Sequence, residues 1–389
     1  MESLRMRFRS FAPLLLINQP AMNEIEACIV LNMLPRIGPI RFRELMRTFG
    51  KATDVLRTDV EALSSVKGIS RKLALEISSW ERSVDVQKEI QLVNDAGVKA
   101  IIQADESYPP LLREIHDPPI VLYVWGELTE QVCQNALGIV GSRQPSHYGT
   151  EITKKLAYQL AYAGITVISG LARGIDTCAH QGALAAQGKT IAVLGCGLST
   201  IYPPENYSLA EKIAETGAVI SEFPMFTKPD RQTFPMRNRI ISGCCQGILV
   251  AEAGVNSGAL ISANQALEQG RTVFAVPGQI DRPNSYGANR LIQQGAKLVM
   301  SAEDVVTELG LLVPAENNSI PTSTPSAVPR ALNEIEAKVF QAIHADETPI
   351  DLIVLNSALP TSEVASTLFT LEMKKIIKQL PGKHYIRLS

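Results

Sequence analysis

Leu137-Gly138-Ile139-Val140-Gly141-Ser142-Arg143 decides the fold through what it begins. An apolar run ends in a glycine-serine-arginine turn, and an amphipathic stretch follows over 148–163. A second apolar run, Thr166–Ser169, then ends in another such turn, Gly170-Leu171-Ala172-Arg173-Gly174-Ile175-Asp176. The alternation continues with apolar runs at 190–194, 218–221, 248–251, 272–276 and 297–300, and helical stretches at 209–216 and 258–269. Near-continuous apolar strands joined by helices predict a parallel sheet covered on both faces, an α/β fold. Ligands of such sheets bind outside the carboxyl ends of the strands, where the glycine-arginine turns fall.

A third segment adds chemistry to that edge. Phe234-Pro235-Met236-Arg237-Asn238-Arg239-Ile240-Ile241-Ser242-Gly243 sets an aromatic ring, two arginines and an asparagine where a loop feeds a helix. Arginine forks grip phosphate oxygens bidentately, and helix N-termini offer free N–H groups to the same anions. An aromatic ring beside them can stack on a base. The three segments together predict one phosphate-binding crevice. The competing account of the arginines is ion pairing with Asp176, Glu222 and Glu252, carboxylates that also stand where helix caps occur. Five arginines at one edge (143, 173, 231, 237 and 239) favour a ligand, because unpaired charges are not buried without one.

At 389 residues the chain is long enough for two or three domains. With 46% hydrophobic and 20% charged residues it can bury a large core, which argues against global disorder. A net charge of −2 confines any nucleic-acid surface to a local patch. The six cysteines show no C-x-x-C pair and the five histidines no H-x-x-x-H pattern, so reduced thiols, a cytoplasmic protein and no metal are expected. Cys244-Cys245 read as small hydrophobes inside a helix.

Residues 1–22 read as a disordered extension. Their arginines and the apolar run 11–17 resemble a signal peptide, but Pro13 interrupts the run and no A-x-A site follows. No apolar stretch approaches the ~20 residues of a membrane span. Residues 23–97 read as a helical domain, with helices at 23–34, 40–49, 59–63 and 71–80. Its turns at 34–39 and 66–70 resemble helix-hairpin-helix hairpins, with Pro39 and Ser70 in the second glycine's place. Residues 98–311 hold the sheet domain and its proline-rich lead-in, whose last apolar run, 120–123, reads as a strand. Residues 312–330, rich in Pro, Ser, Thr and Asn, are expected to be a linker. Residues 331–389 read as three helices and a hairpin at 381–388, the order of a small winged helix. Its third helix, expected over 361–380, turns basic only at Lys374-Lys375, so protein contact and DNA reading remain equally open.

Two motifs mislead. Gly188-Lys189-Thr190 lacks Walker spacing from Gly182, and a strand follows it rather than a helix. Gly195-Cys196-Gly197-Leu198-Ser199-Thr200 lacks the third glycine of a dinucleotide fingerprint, and Tyr202-Pro203-Pro204 breaks the expected helix start. No G-x-S-x-G elbow and no Cys–His set is suggested. No catalytic residue and no cofactor is assigned.

In order along the chain, 141–149, 169–176, 188–195, 201–203, 234–243, 257–261 and 295–299 make the sequence similar to the bacterial DNA-processing protein A (DprA/Smf) family. The resemblance spans nearly the whole length. It implies a Rossmann-like core between a helical N-terminal domain (SAM or helix-hairpin-helix-like) and a C-terminal winged helix. It also implies a homodimer that binds single-stranded DNA, protects it, and loads the recombinase RecA during natural transformation. By position, Arg143 matches the family's phosphate-binding arginine, Arg231 a basic residue, and Phe234 the base-contacting ring, while Arg237, Asn238 and Arg239 fill the family signature. With Gly141, Ser142, Gly170, Arg173, Ser257 and Gly258 these form the expected DNA site. An enzymatic alternative comes from Ala253–Ser262, which is distantly similar to the catalytic loop of nucleotide phosphoribohydrolases. There Ser262 replaces the catalytic glutamate, the acid-base group that reaction needs. A module that senses a mononucleotide is the other alternative.

Overall fold

The computed structural model describes residues 22–310, 332, 334–344, 347–374, 376–380 and 382–387. They fall into two compact units, one within residues 1–314 and one within 315–389. Apart from Met22, the expected extension over 1–22 lies outside the described residues, as does the expected linker over 312–330.

The first unit is built on a nine-stranded sheet. Its strands are β1 (Lys99–Ile102), β2 (Val121–Gly126), β3 (Ala136–Gly141), β4 (Thr166–Ser169), β5 (Thr190–Val193), β6 (Ala218–Ser221), β7 (Gly247–Glu252), β8 (Thr272–Ala275) and β9 (Lys297–Leu298). The spatial order is β1-β2-β6-β5-β4-β3-β7-β8-β9, and β3 to β9 run parallel. The lead-in segment supplies two strands: β2 pairs antiparallel with β6, and β1 antiparallel with β2. Each of β4, β5, β6 and β7 is buried along its whole length, which explains why their sequences are apolar without alternation.

After β6 the chain crosses back to place β7 on the far side of β3, so the order reverses between β3 and β7. In open α/β sheets such a reversal is where ligands usually bind. On one face, Leu137 and Ile139 of β3 pack with Leu156, Leu160 and Ala179 from the His147–Tyr162 and Ile175–Ala185 helices. On the other, Val140, Ile168, Ile248 and Val250 pack with Ile240, Ile241, Ala259 and Ala263 from the Thr233–Gly243 and Gly258–Glu268 helices. Cys244-Cys245, expected inside a helix, instead stand just past the end of Thr233–Gly243, with Cys244 its C-cap. Both are buried free thiols.

The N-terminal helices include two that the apolar spacing did not reveal, Ala52–Arg57 and Val86–Asp95. The first spans too few turns to show a period. These helices share one apolar cluster with the sheet: Leu31, Leu45, Leu63 and Ile77 join Tyr123, Ala192, Leu194 and Val219. Two polar ties aim this layer at the loop after β6. Asn32 Nδ2 donates to Glu222 O at 2.9 Å, and Met225 N donates to Glu89 Oε1 at 2.7 Å.

The second unit has helices Glu334–Ala342, Ile350–Ser357 and Thr361–Met373, and a three-stranded sheet with His384–Arg387 between Thr348–Pro349 and Ile377–Leu380. This is a winged helix. Its third helix ends at Met373 rather than residue 380. The remainder forms strand Ile377–Leu380, so the hairpin begins before Pro381 rather than at it. A pair of β-branched residues, Ile376-Ile377, favours that strand over a further helical turn. No single described helix is long and apolar enough to cross a membrane.

Candidate nucleic-acid interface

The carboxyl edge of the sheet is assembled from backbone turns first. Past β3, Ser142 N donates to Glu252 O at 2.8 Å, which ties the ends of β3 and β7 together. Glu252 also accepts from Ser146 N at 3.0 Å and from the Ser146 hydroxyl, and so fixes the start of the His147–Tyr162 helix. Past β4, Gly174 adopts φ +77°, and a Cβ there would stand 2.4 Å from Ser142 O. Only glycine lets these two loops close on each other.

Asp176 organises the β4 loop from within. Its Oδ2 accepts from Gly170 N at 3.1 Å and from Ala172 N at 3.4 Å. Burial pushes its carboxyl above the usual range, while the Arg237 charge and those two N–H groups pull it back. Arg237 is itself buried, 4% exposed, and its Nη1 donates to Val193 O at 3.0 Å. A guanidinium stays protonated in proteins, so Arg237 is a fixed positive charge beneath the crevice.

Beside it lie an aromatic ring and an exposed cation. Phe234, half-buried in the first turn of the Thr233–Gly243 helix, rests on Gly195, where a Cβ would stand 2.9 Å from the ring. The exposed Arg143 places its guanidinium 5.2 Å from the centroid of Phe234, a cation–π contact. Tyr202 tilts against the same ring at 5.9 Å and 40°.

Arg143, Gly170, Phe234 and Arg237 are therefore brought together, with Gly141 and Ser142 in the β3 turn beside them. Arg173 is exposed in the β4 loop and paired with Glu205. Arg231 is exposed in the loop before the Phe234 helix, and Asn238 is half-buried beside Arg237. Ser257 Oγ accepts from Ala259 N at 3.3 Å and caps the helix after β7, while Gly258 has open space where a Cβ would stand. Arg239 does not join this cluster. Two residues along a helix is a turn of about 200°, and Arg239 is buried in ion pairs with Asp117 at 2.9 Å and Glu222 at 2.6 Å. For Arg239 the ion-pair account describes what is seen. Glu252 is not itself a cap but holds Ser146, the N-cap of the His147–Tyr162 helix. Tyr202 escaped the sequence reading as a site residue, where its Tyr-Pro pair served only as a helix breaker and a family motif.

The fold and site together define a Rossmann-like α/β protein with a cationic, aromatic cluster at the carboxyl edge of its sheet, past β3, β4 and β5. Comparison places it further. The sequence profile of DNA recombination-mediator protein A matches residues 99–310, and that of the DprA winged helix domain matches 323–383. Protein Smf of Synechocystis is 34% identical over 380 residues, 90% of this chain and 96% of that protein. The DNA processing protein DprA of Bacillus subtilis is 45% identical over 215 residues, 55% of this chain and 72% of that one. The X-ray structure of DNA processing protein A from Streptococcus pneumoniae superposes with a TM-score of 0.64 at 33% identity, covering 73% of this chain and 97% of that one. The chain belongs to the DNA recombination-mediator protein A (DprA/Smf) family.

Proposed function

We propose that this chain binds single-stranded DNA at the carboxyl edge of its sheet, protects it during DNA uptake, and passes it to RecA, acting as a homodimer. The observation that carries this reading is the exposed Arg143 guanidinium over the Phe234 ring, with the buried Arg237 charge behind it. Arginines meet phosphates and an aromatic ring meets bases, whatever the sequence, with stacking of ~1–3 kcal/mol per base. Strand transfer to a recombinase and dimerisation rest on the family resemblance.

Hydrolysis of a nucleotide has less support. Ser262, at the place of the phosphoribohydrolase glutamate, is 2% exposed, and the nearby Glu252 carboxylate is taken up by Ser146.

The test is fluorescence anisotropy of labelled oligothymidine, single-stranded and then duplexed, across a salt series. Tight single-strand binding is expected, and Arg143→Ala should lower the salt slope by about one phosphate. Absence of binding by the wild type, or equal binding by the variant, would overturn the crevice assignment.

A further inference from the structure

We infer that Tyr202 is a second base-stacking platform, taking the base next to the one at Phe234 while Arg173 meets the intervening phosphate. This rests on the single-strand reading above and deepens it: the crevice grips two successive nucleotides, not one.

Tyr202 lies in the loop between β5 and the Pro204–Asn206 turn, and that loop is firmly held. Ile201 and Pro203 on either side are buried, while 36% of Tyr202 is exposed. Asn206 Nδ2 donates to Leu171 O at 2.8 Å and to Thr177 Oγ1 at 2.9 Å, which fastens the turn to the segment after β4. Cys196 Sγ donates to Thr200 O at 3.1 Å and closes the loop on itself. An aromatic ring is thus presented to solvent from a firmly held loop, beside Phe234. Arg173 is ion-paired with Glu205, which lies three residues past Tyr202 in the Pro204–Asn206 turn.

The spacing of the rings decides how bases can sit. A base slipped between two rings needs two contacts of about 3.5 Å, roughly 7 Å in all. The Tyr202 and Phe234 centroids are 5.9 Å apart and tilted by 40°. No base fits between them in this arrangement, so Tyr202 takes a base on its solvent-exposed side, while a base at Phe234 displaces the exposed Arg143 guanidinium from the ring. Arg143 lies over the Phe234 ring, and Arg173 is tied through Glu205 to the turn that follows Tyr202, which supplies one cation for each step of the strand.

A plainer account makes Tyr202 only packing for Phe234, and the test separates the two. Full-length wild type, Tyr202→Leu and Tyr202→Phe are titrated with labelled oligothymidine at several salt concentrations. An oligonucleotide carrying 2-aminopurine, whose fluorescence is quenched by stacking, is titrated in parallel. Leucine keeps the apolar cover but removes the π-face, so affinity should fall roughly 5- to 100-fold at an unchanged salt slope. Part of the 2-aminopurine quenching should be lost with it, and phenylalanine should retain both. Wild-type binding together with unaltered binding by Tyr202→Leu would overturn this inference alone. A wild type that binds no single strand would overturn the proposed function, and this inference with it.

Discussion

The guanidinium of Arg237 packs directly against Gly170: a Cβ on that glycine would stand 1.4 Å from Nη1. The buried cation of the crevice and the glycine of the β4 turn therefore form one unit. Gly170→Ala should expel Arg237 from its bond to Val193 O, cost at least ~1–3 kcal/mol, as overpacking does, and reduce single-strand affinity together with stability. Thermal unfolding and anisotropy on the same preparation check both losses.

Arg239 should behave in the opposite way. Arg239→Met leaves Glu222 buried without its partner and should cost ~3–5 kcal/mol in urea unfolding. Pairing it with Glu222→Leu should recover most of that loss. The double variant should bind single strands nearly as well as wild type, since Arg239 is turned away from the crevice.

Glu205 pairs with Arg173 at the surface and, on the proposed function, would compete with DNA for it. Glu205→Gln frees that guanidinium and should tighten single-strand binding and steepen its salt dependence. The change should be smaller than the loss caused by Arg143→Ala, because an exposed pair is weak to begin with.

His180 makes stability depend on pH. It is fully buried at 2.7 Å from Thr190 Oγ1, and the Thr190 hydroxyl donates its own proton to Val167 O, so His180 Nδ1–H is the donor between them. Nε2 is buried with no partner, and burial holds the ring's pKa down to about 3 from 6.5, with Arg237 adding to the effect. Below pH 6.5 the unfolded chain takes a proton that the folded chain refuses. Stability should therefore fall toward pH 3 by up to ~1.4 kcal/mol per pH unit. Asp176 and Glu222, pushed up by burial, oppose this at the acid end, because the folded state takes their protons first. The clean readout is the difference in urea midpoints between wild type and His180→Leu from pH 7 to 5, where the variant's profile should be flatter.

Much of the sheet could be read along the chain because buried parallel strands are apolar at every position. Thr166–Ser169 and Ala218–Ser221 have the bounds expected of them. The helix Ala52–Arg57 was hidden because it is too short to show a period, and Ile377–Leu380 because it follows a helix without a glycine or proline to mark the change. In the site, Arg143, Gly170, Phe234 and Arg237 were each visible as residue types beside turns, but which of five arginines faced the crevice was not.

The order of apolar runs and glycine-arginine turns determined by itself that this chain makes an α/β sheet with cations at one edge. Those are local properties, carried by period and by the backbone freedom of glycine. Tertiary packing alone sent Arg239 to Asp117 and Glu222 rather than to the crevice. It also brought Tyr202, a residue of the β5 loop, against Phe234 from the Thr233–Gly243 helix. A side chain's partner depends on which way its helix is turned and on which distant loop lies there. Only the fully packed chain specifies both.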